Sequence, residues 1–139
     1  MNFDVSYGMS RRFHGASLGA MRERVLDALK NEGFGVLTEI DVQKTLEKKL
    51  GVHTEPYVIL GACNPQLAHR ALAEEPAIGL LLPCNLVLAQ DGEDVVVSAA
   101  SPRAMFAVVD ESRRAALAPI AEDAEARLRR ALDSLAASP

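Results

Sequence analysis

The pattern of apolar and polar residues predicts five strands and five helices in a single α+β domain. Apolar residues alternate with polar ones or run unbroken, as in strands, over 3–7, 34–40, 57–63, 85–90 and 95–100. Spacings of three and four residues predict helices over 17–31, 42–50, 65–75, 101–109 and 115–135. The order is β-α-β-α-β-α-β-β-α-α, and no linker divides residues 1–139 into two domains.

Residues at the predicted helix starts support these assignments. Good N-cap residues stand at four of them: Ser17, Asp41, Asn64 and Ser101. Residues 9–15 and 110–113 are polar, which predicts a turn and a break between helices. Pro119 is acceptable in the last helix only near its first turn. Residues 78–82 fit either a short helix or an extended link.

Two segments are expected to dominate the core. The unbroken apolar run over 57–63 predicts a central strand that is covered on both faces. The last helix carries one apolar stripe, which consists of Leu117, Ile120, Ala124, Leu128, Ala131 and Leu135. Met105 and Phe106 in the short fourth helix are also expected to pack in the core. Because aromatic residues are only 4% and Trp is absent, this core must be aliphatic.

Composition narrows the class of protein. Hydrophobic residues make up 49% of the 139 residues and charged residues 24%, as in ordinary globular domains. The formal net charge of −4 argues against a surface that binds nucleic-acid phosphates. We find no apolar run long enough for a membrane span and no signal peptide. Two cysteines do not make a disulfide framework, so we expect a cytoplasmic protein with reduced thiols.

The two cysteines are the most distinctive chemical feature of the chain. Cys63 ends the third predicted strand, Cys84 precedes the fourth, and each is followed by an asparagine, Asn64 or Asn85. If these pairs meet, they would form a shallow pocket beside the start of the third helix. The helix dipole there favours a thiolate or a small bound anion. Cys84 could join Cys63 as a metal ligand or redox partner, although the spacing is not that of a metal motif.

Structural roles explain some of the same residues. Cys63 could pack on Ala68 as a small apolar side chain, and Asn64 could cap the helix by accepting a bond from the Leu67 N–H group. Asn85 has no capping role, so a buried amide there would need a partner and suggests a ligand. The histidines are scattered and fit surface positions: His14, His53 and His69.

Three blocks of sequence carry a resemblance to a known family. They are GFGVLTEID over 33–41, YVILGACNP over 57–65 and GLLLPCN over 79–85. Together they resemble the bacterial and archaeal domain of unknown function 302 family over nearly the whole chain. The resemblance implies helices packed on one curved, mainly antiparallel sheet, similar to the TATA-binding-protein fold, and it suggests homodimers. It supplies no function, because none defines the family.

Three functions therefore remain open. The first is a homodimeric binding domain that holds a small ligand, an anion or a metal ion near Cys63, Asn64, Cys84 and Asn85. The second is a thiol-based redox protein or sensor in which Cys63 reacts. The third is an interaction module with buried cysteines, which uses the stripe of the last helix or a sheet edge between subunits. No catalytic motif is recognisable, so neither enzymatic activity nor a cofactor can be assigned from the sequence.

Overall fold

Five antiparallel strands form one open, curved sheet in the order β1-β5-β4-β3-β2. The strands are β1 (Gly8–His14), β2 (Gly35–Asp41), β3 (Tyr57–Cys63), β4 (Cys84–Asp91) and β5 (Asp94–Ala100). They belong to a computed structural model that describes residues 1–136, so the last three residues of the predicted domain lie outside the description. The predicted α+β fold is confirmed.

Helices fill most of the connections between strands. They are α1 (Leu18–Asn31), α2 (Val42–Leu50), α3 (Pro65–Glu74), a 3-10 helix (Pro76–Leu81), α4 (Pro102–Phe106) and α5 (Glu111–Ala136). The predicted N-caps all accept a bond from a backbone N–H of the first turn: Ser17, Asp41, Asn64 and Ser101. Within the described residues, no helix is both long and apolar enough to cross a bilayer.

The predicted position of the first strand is wrong. β1 covers Gly8–His14, which the sequence assigned largely to a turn, and residues 3–7 precede it. All seven residues of β1 pair with β5, from Gly8 opposite Ala100 to His14 opposite Asp94. The polar side chains of β1 are accommodated because β1 lies at the sheet edge, where Arg12 can reach Asp91 at 2.9 Å.

The last helix also differs from its prediction. α5 begins at Glu111, inside the expected polar break, and Pro119 therefore lies beyond the first turn. The early start is stabilised by the Arg114 guanidinium, whose Nε donates to the Val109 carbonyl at 2.9 Å. Glu111 in the first turn also interacts favourably with the helix dipole.

The core has two parts. The larger part lies between one face of the sheet and helices α1 and α5, and it includes Leu60, Ala62, Leu86, Leu88, Val97, Leu128 and Leu132. The smaller part lies among α3, the 3-10 helix, α4 and the first half of α5, and it includes Leu67, Ala71, Ile78, Phe106, Leu117 and Ile120. All six residues of the predicted α5 stripe are buried in these two clusters.

The expectation for the third strand is only partly met. β3 has a partner on each side, but the middle strand of the sheet is β4. Leu60 and Ala62 face the helices and are fully buried. Tyr57 and Ile59 point to the opposite face by alternation and are half-buried, so that face is not covered along its whole length.

Candidate functional site

The pairing of β3 with β4 brings the two Cys-Asn motifs to the same end of the sheet. Ala62 lies opposite Cys84, and Gly61 lies opposite Asn85. Cys63 directly follows Ala62 and ends β3, so the two cysteines occupy neighbouring positions on adjacent strands. Both are free and partly buried.

A cleft of about 280 Å³ opens at this end of the sheet. Its wall combines the ends of β3 and β4 with α3, α4 and α5. Apart from Cys63, Asn64 and Cys84, the lining is apolar: Phe34, Leu37, Ala62, Leu67, Ala68, Ala71, Leu72, Leu82, Pro83, Pro102, Phe106, Ile120 and Ala124. Among residues 1–136, no charged side chain lines the cleft, which therefore favours an apolar occupant.

Asn64 lies at the cleft but uses its side chain to hold the fold. Its Oδ1 accepts the Leu67 N–H at 3.2 Å, which is the predicted N-cap bond. Its Nδ2 donates to the Glu32 carbonyl after α1 at 3.4 Å. Only 9% of the residue is exposed. Little of this amide is left for a ligand.

The side chain of Asn85 is exposed. It is therefore not the buried amide in need of a partner that the sequence suggested. The reason is strand alternation: Asn85 pairs with Gly61 and points to the opposite face from Cys84. It lines a smaller cavity of about 200 Å³, whose wall also includes Leu82, Pro83 and Cys84.

Close packing around Gly61 positions the segment that leads into β4. A Cβ atom added at Gly61 would overlap Thr38 Oγ1 and lie 2.8 Å from Pro83 Cγ. The absence of a side chain at Gly61 therefore lets Pro83 lie against β3. Because Cys84 follows Pro83 directly, this contact also fixes where the second thiol enters the cleft wall.

The opposite wall of the cleft is held by a buried carboxylate. Glu125 of α5 is 8% exposed, and its Oε1 accepts from Ser101 Oγ and, at 3.2 Å, from the Arg103 N–H. These bonds attach the start of α4 to α5. They thereby hold Pro102 and Phe106 of α4 against the cleft.

The environment of Cys84 keeps its thiol protonated. Burial, and secondarily the nearby Cys63, raises the pKa of Cys84 from 9.0 to about 11. At neutral pH this sulfur is therefore neither a good nucleophile nor a ready metal ligand.

Comparisons with known proteins agree with this architecture. The model of the family described as domain of unknown function DUF302 matches residues 9–135. The chain belongs to the DUF302 family. A crystal structure of an uncharacterized conserved DUF302 protein from Bacillus stearothermophilus is 33% identical and superposes with a TM-score of 0.83. The match covers 93% of this chain and 98% of that one. No functionally curated protein matches this DUF302 chain.

The histidines of this DUF302 protein lie away from the cleft. His69 is exposed on α3, and His53 is exposed between α2 and β3. His14 lies on the edge strand β1, where its Nδ1 is 2.8 Å from Asp94 Oδ1. Over residues 1–136, no three His, Cys, Asp or Glu side chains are grouped so that they could hold a metal ion.

Sequence reasoning missed most of the cleft wall of the DUF302 chain. Phe34 and Leu37 were assigned to a strand, and Phe106 to the core, without a link to the cysteines. The sequence has only four Phe, and two of them, Phe34 and Phe106, line the cleft. Their rarity is the one sequence signal that could have pointed to these residues. The sequence does not show that Phe106 of α4 and Ile120 of α5 line the same cleft as Cys84, at the start of β4.

Proposed function

We propose that this DUF302 chain is a binding domain, without catalytic activity, for a small molecule whose buried part is apolar. The observation that supports the proposal is the lining of the cleft, which joins many apolar side chains with two thiols and one amide. A volume of about 280 Å³ suits a ligand of one or two rings, because an engineered cavity of about 150 Å³ already holds benzene.

An anion has less support as the ligand. The start of α3 offers few free donors, because Pro65 has no N–H and Asn64 accepts from both Leu67, through Oδ1, and Ala68, through its carbonyl. Of the first-turn N–H groups, that leaves Gln66 to meet an anion. A metal ion would have to bind at two thiols, and one of them has a raised pKa.

The thiol-enzyme alternative needs a group that activates Cys63. No His, Lys, Asp or Glu lines the cleft among the described residues, so a general base is absent from its wall. The alternative predicts fast alkylation of Cys63 by iodoacetamide in the native protein. A rate no faster than in the denatured chain would reject it.

The cleft can be tested by filling it. N-phenyl-1-naphthylamine is an apolar probe whose fluorescence rises on binding. Ala68 lines the cleft on α3 and is half-buried, so Ala68→Leu should fill the cleft and weaken probe binding by about tenfold or more. Ala73→Leu is the matched control, because Ala73 is exposed on the same helix and lies outside the cleft wall.

Equal binding in both variants would reject the proposal. Both should retain the wild-type melting temperature within a few degrees, since leucine is a good helix former at each position. A binding loss that appears only together with a lower melting temperature would point to damage to the fold, not to a filled cleft.

We propose that the functional unit is a cytoplasmic homodimer that pairs through the edge strand β2. The stripe of α5 is an unsuitable interface, because Leu128 is fully buried within the subunit. β2 has a free edge and exposes Leu37 and Ile40 by 69% and 48%. Ile40→Glu should convert a dimer into a monomer in light scattering, and Val108→Glu, at another exposed site, should not. A wild-type monomer would contradict the proposal.

A further inference from the structure

Two leucines mark the mouth of the apolar cleft. Within residues 1–136, Leu37 and Leu72 are the only exposed residues of the cleft wall, and the others are buried or half-buried. Leu37 belongs to the edge strand β2, and Leu72 belongs to α3. The cleft therefore opens between the sheet edge and that helix. A ligand in one isolated subunit would keep part of its surface in contact with water there.

An irregularity in the pairing of β2 with β3 gives Leu37 this position. Val36 lies opposite Ala62 in β3. Thr38 lies opposite Gly61, the next residue of the ladder, so Leu37 has no partner in β3. Such a bulge changes the direction of a side chain relative to regular strand alternation. Leu37 is thus part of both the cleft wall and the free edge of the sheet, and a partner that covers this edge also covers the mouth of the cleft.

The edge itself indicates which partner covers it. The unpaired backbone groups of an edge strand match another extended strand, and two copies of one strand can pair antiparallel about a twofold axis. The charge of Glu39 in β2 is balanced within the subunit by Arg22 of α1 at 2.5 Å. Asp41 lies at the end of the strand, where it caps α2. The opposite edge, in β1, presents polar side chains such as Arg12, which disfavour strand pairing.

We infer that a second copy of the chain, paired along β2, closes the mouth of the cleft, so that ligand binding and dimerisation strengthen each other. The inference rests on the cleft and the homodimer proposed above, and it gives the dimer a role in binding. Leu37 would contact the ligand on one side and the partner on the other. Because linkage is reciprocal, a ligand that binds the dimer more tightly than the monomer must also stabilise the dimer.

Ile40→Glu tests this coupling. Ile40 is exposed on β2 but lies outside the cleft wall, so its effect on a ligand must act through the dimer. The variant should be a monomer in light scattering, and it should bind N-phenyl-1-naphthylamine about fivefold or more weakly than the wild-type dimer. Val108→Glu is the control, because Val108 is exposed away from both β2 and the cleft wall. It should keep the dimer and the wild-type affinity.

The reciprocal measurement uses the wild-type protein alone. Saturating N-phenyl-1-naphthylamine should lower the dimer dissociation constant by about fivefold or more in sedimentation velocity over a dilution series. This series also decides the matter if Ile40→Glu does not fold, and an unchanged dissociation constant would overturn the inference.

The outcomes separate the inference from the proposed function. A folded, monomeric Ile40→Glu that binds the probe as tightly as the wild type would overturn the coupling and leave the binding function intact. A variant that remains a dimer would also overturn it, because the interface would then lie elsewhere. A wild-type protein that binds no probe would reject the proposed function and the inference together.

Discussion

The side-chain amide of Asn64 joins the start of α3 to the end of α1 through the carbonyl of Glu32. Nδ2 donates to that carbonyl at 3.4 Å while Oδ1 caps α3 through the Leu67 N–H at 3.2 Å. Arg127 Nη1 donates to the same carbonyl at 3.2 Å, so α5 is tied to this junction too. Asn64 is thus a structural residue at the edge of the candidate cleft.

Removing this amide should destabilise the protein. Asn64→Ala loses the N-cap bond and leaves the Leu67 N–H without its partner, which should lower the free energy of unfolding by about 1–3 kcal/mol. Asn64→Ser keeps a capping oxygen but cannot reach the Glu32 carbonyl as an amide does. Its free energy of unfolding should therefore fall by less than that of Asn64→Ala. Urea denaturation measures both. An alanine variant as stable as the wild type would show that the junction contributes nothing.

Gly61 should tolerate no side chain. Gly61→Ala places a methyl group against Thr38 Oγ1 and within 2.8 Å of Pro83 Cγ, so we expect a loss of about 1–3 kcal/mol. Gly35→Ala is the matched control, because Gly35 is also in a strand and a Cβ there would meet no atom within 4 Å.

The cause of the Gly61 effect can be separated in a double variant. Thr38→Ala removes the hydroxyl that the new methyl group would overlap, and it should restore part of the stability of Gly61→Ala in thermal melts. If Thr38→Ala only adds its own cost to that of Gly61→Ala, the clash with Thr38 is not the cause.

Local patterns in the sequence predicted most of the fold. The N-caps Ser17, Asp41, Asn64 and Ser101 were correct, because capping depends on a side chain and the backbone two or three residues away. β1 was misplaced because Ser10 to Arg12 are polar, and their position in a strand depends on pairing with β5, some 90 residues later. No local pattern encodes that partner.

The candidate site was predicted less completely. Cys63 and Cys84 lie at the same end of the sheet because β3 pairs with β4, and this pairing is expected for two strands that are consecutive in the sheet-forming sequence. The opposite directions of Cys84 and Asn85 follow from strand alternation and register, which depend on the exact start of β4. The position of Phe106 in the cleft wall depends on the hydrogen bond from Ser101, at the start of α4, to Glu125 of α5. This bond joins two helices, so no local sequence pattern predicts it.

A cluster of charged side chains that should be sensitive to acid lies at the C-terminal end of β1. The Arg12 guanidinium, followed by the N-terminal amine, lowers the pKa of Asp91, and His14, followed by Arg12, lowers the pKa of Asp94. A lowered folded-state pKa contributes stability that is present above the ordinary value of 3.8 and is lost as the pH falls through the folded value.

Arg12→Gln should therefore be less stable than the wild type at pH 7, and the difference should shrink as the pH is lowered below 3.8. Urea midpoints at pH 7 and pH 3 in low salt measure this, because salt screens exposed pairs. Arg70→Gln, on the exposed face of α3, should show no such pH dependence. A difference that stays constant with pH would exclude the carboxylates as its source.

Cys84 should make the folded protein sensitive to alkaline pH. Its folded-state pKa of about 11 lies above the ordinary value of 9.0, so the folded chain keeps a proton that the unfolded chain loses. This contribution is fully present below pH 9 and is lost as the pH rises towards 11, by up to about 2–3 kcal/mol.

Cys84→Ala removes this ionisable group, so its free energy of unfolding should fall less steeply between pH 8 and about pH 10.5 than that of the wild type. The comparison concerns slopes, because the smaller side chain also lowers stability at every pH. Cys63→Ala is the informative partner variant: it removes only the secondary cause of the raised pKa, so burial should preserve most of the wild-type slope. Parallel curves for Cys84→Ala and the wild type would show that the Cys84 thiol is not protected by the fold, and would reopen its role as a thiolate.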